Sequence, residues 1–343
     1  MASLNNQSET SNTSWIKIVT KYNRPDAVKS WWQLSGNLFL YSLAWFLMYE
    51  SLSISWWITF GLSFPAAGIL VRLFIIYHDC GHGAFFKTSR MNDAVGFFIG
   101  ILTFTPYFSW SHEHYIHHET AGNLDKRDVG DVWTLTVEEY RDSSKWTRIK
   151  YRFYRHPITM FGIGAFLVFV IVNRFTRKTM STKAKMGVYA TNAGLVIFAA
   201  LMSFLIGFKA FVLIQLPIIS VAGIIGFWLF YVQHQFNPIF WARTDAWDYK
   251  RMAMEGSSYY KLPRILQFFS GNIGFHHIHH LSPMIPNYKL SKCHRENALF
   301  SSIKPLTFRA SFKTLTYRLW DEQASKMVSF KSMKQNQVAF KGN

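Results

Sequence analysis

Half of the 343 residues are hydrophobic and 18% are aromatic, whereas only 16% are charged, against roughly 25% in ordinary soluble domains. The formal charge is +18, from 37 Lys and Arg against 19 Asp and Glu, but no basic stripe runs along a polar domain, which argues against a nucleic-acid partner. Two cysteines, Cys80 and Cys293, are too few and too far apart for a disulfide scaffold or a zinc ribbon. The positive charge instead fits the basic bias of cytoplasmic loops and attraction to anionic lipid, and it suits a basic face that steers an acidic soluble partner such as an electron carrier.

In chain order, residues 1–14 are rich in Ser, Thr and Asn and are predicted to be disordered. No apolar core with a small-residue cleavage site is visible in the first 35 residues, so no removable signal peptide is expected. Lys29, Trp31 and Trp32 read as an interfacial anchor ahead of a first span at about 35–52. The loop from Glu50 to Ser55 turns the chain into a second span, about 55–77. His78 follows Arg72 by six residues, roughly 9 Å along a helix axis, so the second span is predicted to carry its histidines out of the membrane. Residues 94–108 are apolar but short and end near Pro106, which suits an interfacial or re-entrant helix. Residues 110–157 are polar, 158–173 are apolar again, and the loop 173–185 carries five basic residues, a cytoplasmic signature. Spans three and four, about 187–206 and 210–233, form a second hairpin around Gly207-Phe208-Lys209.

These segments predict an all-α integral membrane protein. About four transmembrane helices form two hairpins, with one or two interfacial helices and a cytoplasmic helical cap from 78–186 and 234–343. Residues 1–34 form a tail and 35–343 a membrane domain. If 94–108 and 158–173 also crossed, the polar 110–157 segment and its histidines would be stranded on the opposite side from the others, so four spans are expected over six.

Eleven of the thirteen histidines lie in or beside four groups: His78 and His82; His112, His114, His117 and His118; His234; and His276, His277, His279 and His280. Residues three and four apart share a helix face. His78 with His82, His114 with His117 and His118, and His276 with His279 and His280 therefore each aim at one point. His234 at the end of the fourth span makes nine convergent imidazoles, with His112 and His277 left as supporting or solvated residues. Nine exceed what one metal accepts and suggest two. Imidazole serves Zn, Cu, Fe and Ni alike, but a structural zinc site is four-coordinate and usually includes Cys. Asp79, Glu113, Glu119, Asp125, Asp128 and Asp131 are carboxylates able to accept the free ring N–H and fix a tautomer. His156 and His294 read as structural, and Cys80 as a small packing residue.

The sequences His78-x3-His82, His114-x2-His117-His118 and His276-x2-His279-His280, in this order and separated by spans, resemble the histidine boxes of the membrane fatty acid desaturase superfamily. Residues 123–133, 271–275 and 281–288 look like the bacterial acyl-lipid desaturases, nearest the Δ5 phospholipid desaturases and then the Δ12 and ω-3 branch. The resemblance implies a non-haem di-iron enzyme that uses O2 and two electrons to place a double bond in an acyl chain, with two iron ions held by His78, His82, His114, His117, His118, His234, His276, His279 and His280. It also implies a separate electron donor of the ferredoxin or flavodoxin type, since no cytochrome b5-like segment is present, and a bacterial cytoplasmic membrane location with the active site and both termini cytoplasmic. In acyl-CoA members an Asn one turn before the span-four histidine holds a metal-bound water. Here that position is Phe230, so Gln233 or Asn272 takes the role or the water is held differently.

An unactivated C–H bond gives no purchase to a side-chain acid or base, so a metal–oxygen oxidant is required, beside a narrow apolar tunnel. Phe85, Phe86, Phe104, Tyr107, Phe108, Trp110, Tyr231 and Phe275 are candidates to line it, though each by itself reads more readily as packing or interfacial belt. A hydroxylase or ketolase of alkanes or carotenoids on the same scaffold would share the metal site. A metal transporter or sensor would need ionisable residues in mid-span, which the spans lack.

Overall fold

The structure is a computed structural model that describes residues 15–127 and 129–333; the expectations for residues 1–14 and for Asp128 lie outside these. Helix α1, Ala27–Leu52, begins where the Asp26 carboxylate accepts the amide of Lys29 at 3.1 Å. It turns through Ser53–Ser55 into α2, Trp56–Gly81. A 2.8 Å hydrogen bond between the Ser51 and Thr59 hydroxyls pins the hairpin. Trp31 and Trp32, read from the sequence as an anchor before the span, are part of α1 itself.

A sharp corner follows. Helices α3, Ser89–Leu102, and α4, Tyr107–Thr120, meet at 104°. Three sequence features build it. Pro106 starts α4 where its missing N–H costs nothing. At Gly100 a Cβ would lie 2.6 Å from the carbonyl oxygen of Thr105, and at Gly96 it would lie 2.1 Å from the Tyr107 ring. The carbonyl of Phe104, a residue with φ of 57°, accepts from the Arg174 guanidinium at 2.6 Å. Gly96→Ala is therefore expected to push Tyr107 off its hydrogen bond to the Cys80 carbonyl and to cost roughly 1–3 kcal/mol, as overpacked cores do. Thermal unfolding of the purified protein checks it.

Helix α5, Lys145–Tyr154, leads at 66° into the apolar stretch Ile158–Arg174, which opens with a π-helical turn at Ile158–Gly164. Helices α6, Thr182–Ile206, and α7, Phe208–His234, are joined by Gly207 alone, with φ of 85°. In the polar cap, α8, His276–Leu281, and α9, Asn287–Glu296, lie against the end of the bundle.

Among the described residues three helices, α2, α6 and α7, are long and apolar enough to cross a membrane, and the count reaches five if each bent pair is one span. Helix α1 has the length, about 39 Å at 1.5 Å per residue, but Lys29, Gln33, Asn37 and Glu50 dilute its hydropathy. The first of the four spans expected from the sequence is thus a helix of the right place and length without the full apolar character. The buried core joins α1, α2 and α7 through Met48, Leu70, Leu73, Ile214 and Ile218. Val196, Ile197, Leu201 and Phe204 of α6 are exposed, a lipid-facing pattern. The cap also departs from purely helical. Strands β1, Tyr260–Lys261, and β2, Leu306–Thr307, pair in parallel, and β3, Leu319–Asp321, with β4, Lys326–Val328, forms an antiparallel hairpin. The Trp320 amide donates to the Leu135 carbonyl at 3.0 Å, so this hairpin straps the segment after α4.

Candidate metal centre

Helix α2 stays helical beyond its apolar core, which places His78 and His82 at its polar end. Helix α7 ends at His234. The α3–α4 corner and α8 bring the remaining histidines to the same end. One donor atom each from His78, His82, His114, His118 and His279 lies within 4.8 Å of the others, and the same holds for His117, His234 and His280. His276 joins the second group, with Nε2 2.9 Å from that of His234 and 3.1 Å from that of His280. Further Nε2 pairs are His114–His118 at 3.2 Å, His118–His279 at 3.0 Å and His117–His234 at 3.1 Å. The His118 and His280 rings stack at 4.1 Å and join the two groups.

This donor set fits metal ions. Two imidazole nitrogens at about 2.1 Å from one metal and at right angles to each other are roughly 3 Å apart, the spacing seen here. Burial and neighbouring imidazoles push the His114, His118, His276, His279 and His280 rings well below the ordinary histidine pKa, so their lone pairs are free near neutral pH, as ligation requires. The Nε2 atom of His82 is buried with no protein partner.

Two of the candidate carboxylates reach the cluster from outside. Asp131 accepts from His117 Nδ1 at 2.7 Å, and Asp79 lies 3.2 Å from His78 Nδ1; each turns Nε2 inward. The other Asp79 oxygen accepts both the amide N–H and the side-chain N–H of Asn287, at 2.7 and 2.8 Å, and Asn287 Oδ1 accepts from Gln33 at 2.8 Å. Asn287 and Gln33 were not singled out in the sequence; 254 residues separate them. Asp79→Ala would take the acceptor from the Asn287 amide N–H and the partner from the His78 ring N–H, leaving the Asn287 side-chain amide only its 3.3 Å bond to Gln33. It is expected to weaken metal retention about 10–100-fold, as loss of such supporting groups typically does, read as metal per protein after dialysis against a chelator.

The remaining candidates lie elsewhere. Glu113 borders the cavity described below, paired with Arg177. Glu119 accepts from Tyr115. Asp125 is held at about 2 by hydrogen bonds from Arg243 and the Thr244 amide. His112 is exposed. His277 points away toward His294 and Phe300, with ring separations of 5.4 and 5.7 Å. Asn272 has both ends of its amide engaged, by Gln267 and the Asn287 carbonyl. Cys80 is buried in the helix core.

A cavity of about 480 Å³ runs from Leu70, Val71 and Phe74 on α2 past Gly223 and Phe227 on α7 to His78, His114 and His276. Of the eight aromatics proposed from the sequence, Trp110 lines it, stacked on His114 at 4.5 Å. The other aromatic lining comes from Phe74, Tyr154, Phe169, Phe227 and Phe230. Phe230 stands 5.3 Å from the His117 ring and 5.4 Å from His234. Gln233 also borders the cavity and donates to the Ile273 carbonyl at 3.0 Å.

Long apolar helices ending in buried imidazole clusters, with an apolar cavity leading to them, fit a multi-pass membrane protein whose histidine clusters could hold metal. The chain belongs to the fatty acid desaturase family, whose model matches residues 54–308. It is 45% identical over 93% of its length to a fatty acid desaturase of Bacillus subtilis, of which it covers 90%. An endoplasmic-reticulum omega-3 fatty acid desaturase of Vigna radiata is 28% identical over 70% of this chain and 65% of its own. An sn-1 oleoyl-lipid 12-desaturase of Picosynechococcus is 26% identical over 72% of this chain and 71% of its own.

Proposed function

We propose that the protein inserts a cis double bond into an acyl chain of a membrane phospholipid, in the Δ5 or Δ12 class. Residues 35–343 act as one membrane domain behind the tail 1–34, with the histidines and both termini on the cytoplasmic side of a bacterial membrane. The observation that carries this reading is the apolar cavity that ends on His78, His114 and His276, which would take an unbranched chain up to the clustered imidazoles. His78, His82, His114, His117, His118, His234, His276, His279 and His280 would hold two irons, whose chemistry there would be the activation of O2. Overall, –CH2–CH2– with O2, two electrons and two protons gives –CH=CH– and two waters. The electrons come from a separate ferredoxin or flavodoxin.

The chain's own residues do the positioning. Asp79 and Asp131 hold the Nδ1 protons of His78 and His117, which fixes the inward tautomer. Phe74, Phe227 and Phe230 exclude water from the reacting carbons. We assign the water to Gln233 where Phe230 replaces an Asn, because Gln233 borders the cavity and only its N–H side is engaged, by Ile273, whereas Asn272 has both ends of its amide engaged.

Expression in a bacterium without desaturases, followed by gas chromatography–mass spectrometry of derivatised membrane fatty acids, tests the reading. One new double bond at a defined position is the expected result. Hydroxylated chains would move the assignment to a hydroxylase. No new lipid from metal-loaded protein supplied with a ferredoxin and its reductase would reject an acyl substrate.

A further inference from the structure

Away from the histidines, a second cavity of about 470 Å³ is bounded by Arg141, Lys145, Arg148 and Arg152 around Tyr140 and Ile149. Lys145, Arg148 and Arg152 follow one another at three and four residues on α5, and Arg141 precedes Lys145 by four. Like charges at such helical spacings repel. Among the described residues none of the four forms an ion pair with a carboxylate, and the nearby acid Glu139 is taken by Arg127. Arg152 is held by neutral groups, donating to the Tyr140 hydroxyl at 2.6 Å and lying 4.5 Å from the Phe330 ring centre. Four cations thus converge on one concavity whose lining residues include no carboxylate, the neighbouring acids Glu138 and Asp142 lying outside it.

The adjoining stripe of α5 is apolar and bare: Trp146, Ile149 and Phe153 are 79%, 47% and 64% exposed. It continues into Ile158, Ile163 and Leu167, also exposed, on the bent apolar stretch. A basic stripe beside an aromatic and apolar one marks a helix lying in the lipid–water boundary. We propose that this cavity seats the phosphate of an anionic phospholipid of the surrounding bilayer, with Trp146, Ile149 and Phe153 sunk beside its acyl chains. An acidic soluble protein would satisfy the cations but leave the apolar stripe in water, so the lipid accounts for both surfaces. The proposal stands apart from the redox chemistry, because the metal centre contributes none of these residues.

The full-length protein in nanodiscs of mixed phosphatidylcholine and phosphatidylglycerol, released for native mass spectrometry, provides the test. Wild type is expected to retain phosphatidylglycerol in preference to phosphatidylcholine. Arg141→Gln with Arg148→Gln, which spares the Tyr140 and Phe330 contacts of Arg152, is expected to lower that preference roughly thirtyfold, from about 1 kcal/mol per surface cation at 1.4 kcal/mol per tenfold. Lys145→Gln alone is a milder second variant, expected to lose roughly fivefold, and unchanged metal content certifies the fold of each. An unaltered preference in both variants overturns the proposal. Displacement of the lipid by inorganic phosphate as readily as by short-chain phosphatidylglycerol overturns it in favour of a free-phosphate site. Variants that bind an acidic ferredoxin more weakly while keeping their lipid would make this face a protein dock, and the proposal would fail.

Discussion

Replacing His118 with alanine is expected to remove desaturated product to the limit of detection and to strip the protein of metal. His118 is the ring on which the centre turns. Its Nε2 lies 3.0 Å from that of His279 and 3.2 Å from that of His114, while its face stacks on His280 of the other group. Alanine removes a donor from one group and the wall between the two. Loss of a mere supporting partner costs about 10–100-fold in affinity or activity, so loss of this ring should exceed a hundredfold. The measurement is metal per protein by mass spectrometry on purified variant and wild type, with product analysed in parallel. His112→Ala, on the exposed flank of the same helix, should match wild type in both. Wild-type metal content in the His118 variant would overturn the assignment of this cluster as the centre.

Gly226→Phe should leave the metal in place and abolish activity on long chains. Gly226 borders the cavity, and a Cβ there would meet nothing within 4 Å, so an added side chain grows into open space. It lies eight residues before His234 on α7, roughly 12 Å along the axis, where the proposed function would run the part of an acyl chain beyond the reacting carbons. A phenyl group would close this passage. The expected outcome is at least a tenfold fall in the long-chain product, with any remaining product on shorter chains, and unchanged metal content. Gly226→Ala should be near neutral. At Gly223 a Cβ already meets the Phe169 ring at 3.2 Å, so bulk there strains packing and should cost stability as well. An unaltered chain-length profile in Gly226→Phe would show that the chain takes another route.

The centre was legible in the sequence because its geometry is local. Pairs such as His78–His82 and His276–His280 are one helical turn apart, and the 3.6-residue period alone turns them to one face. Helix α2 continuing to Gly81 was legible for a related reason, since the apolar run ends before the histidines do. The supports were not legible. Asn287 meets Asp79 across the bundle with Gln33 bonded behind it, and although 281–288 resembles a family stretch, nothing in it marks Asn287 as the partner of Asp79. The cavity wall was misjudged for similar reasons. Aromatics next to the histidines in sequence, such as Phe85 and Tyr107, turn into the core, whereas Phe169 and Tyr154 reach the cavity from the bent 145–174 segment, whose path no periodicity declares. The apolarity of α1 was overestimated, because Asn37 and Glu50 fall within the stretch 35–52 read as a span, and the helix begins earlier, at Ala27, through Lys29 and Gln33.

The order in which the clustered histidines occur along the chain carries a consequence for biogenesis. His276, His279 and His280 leave the ribosome after α7 has been made, and the β3–β4 strap that closes over the segment carrying Asp131 comes later still. Every long apolar helix is therefore committed to the bilayer before the centre has its full set of imidazoles. Completion of the histidine set is thus a late step, and a nascent chain stalled before residue 276 would carry only His78, His82, His114, His117, His118 and His234 of the nine.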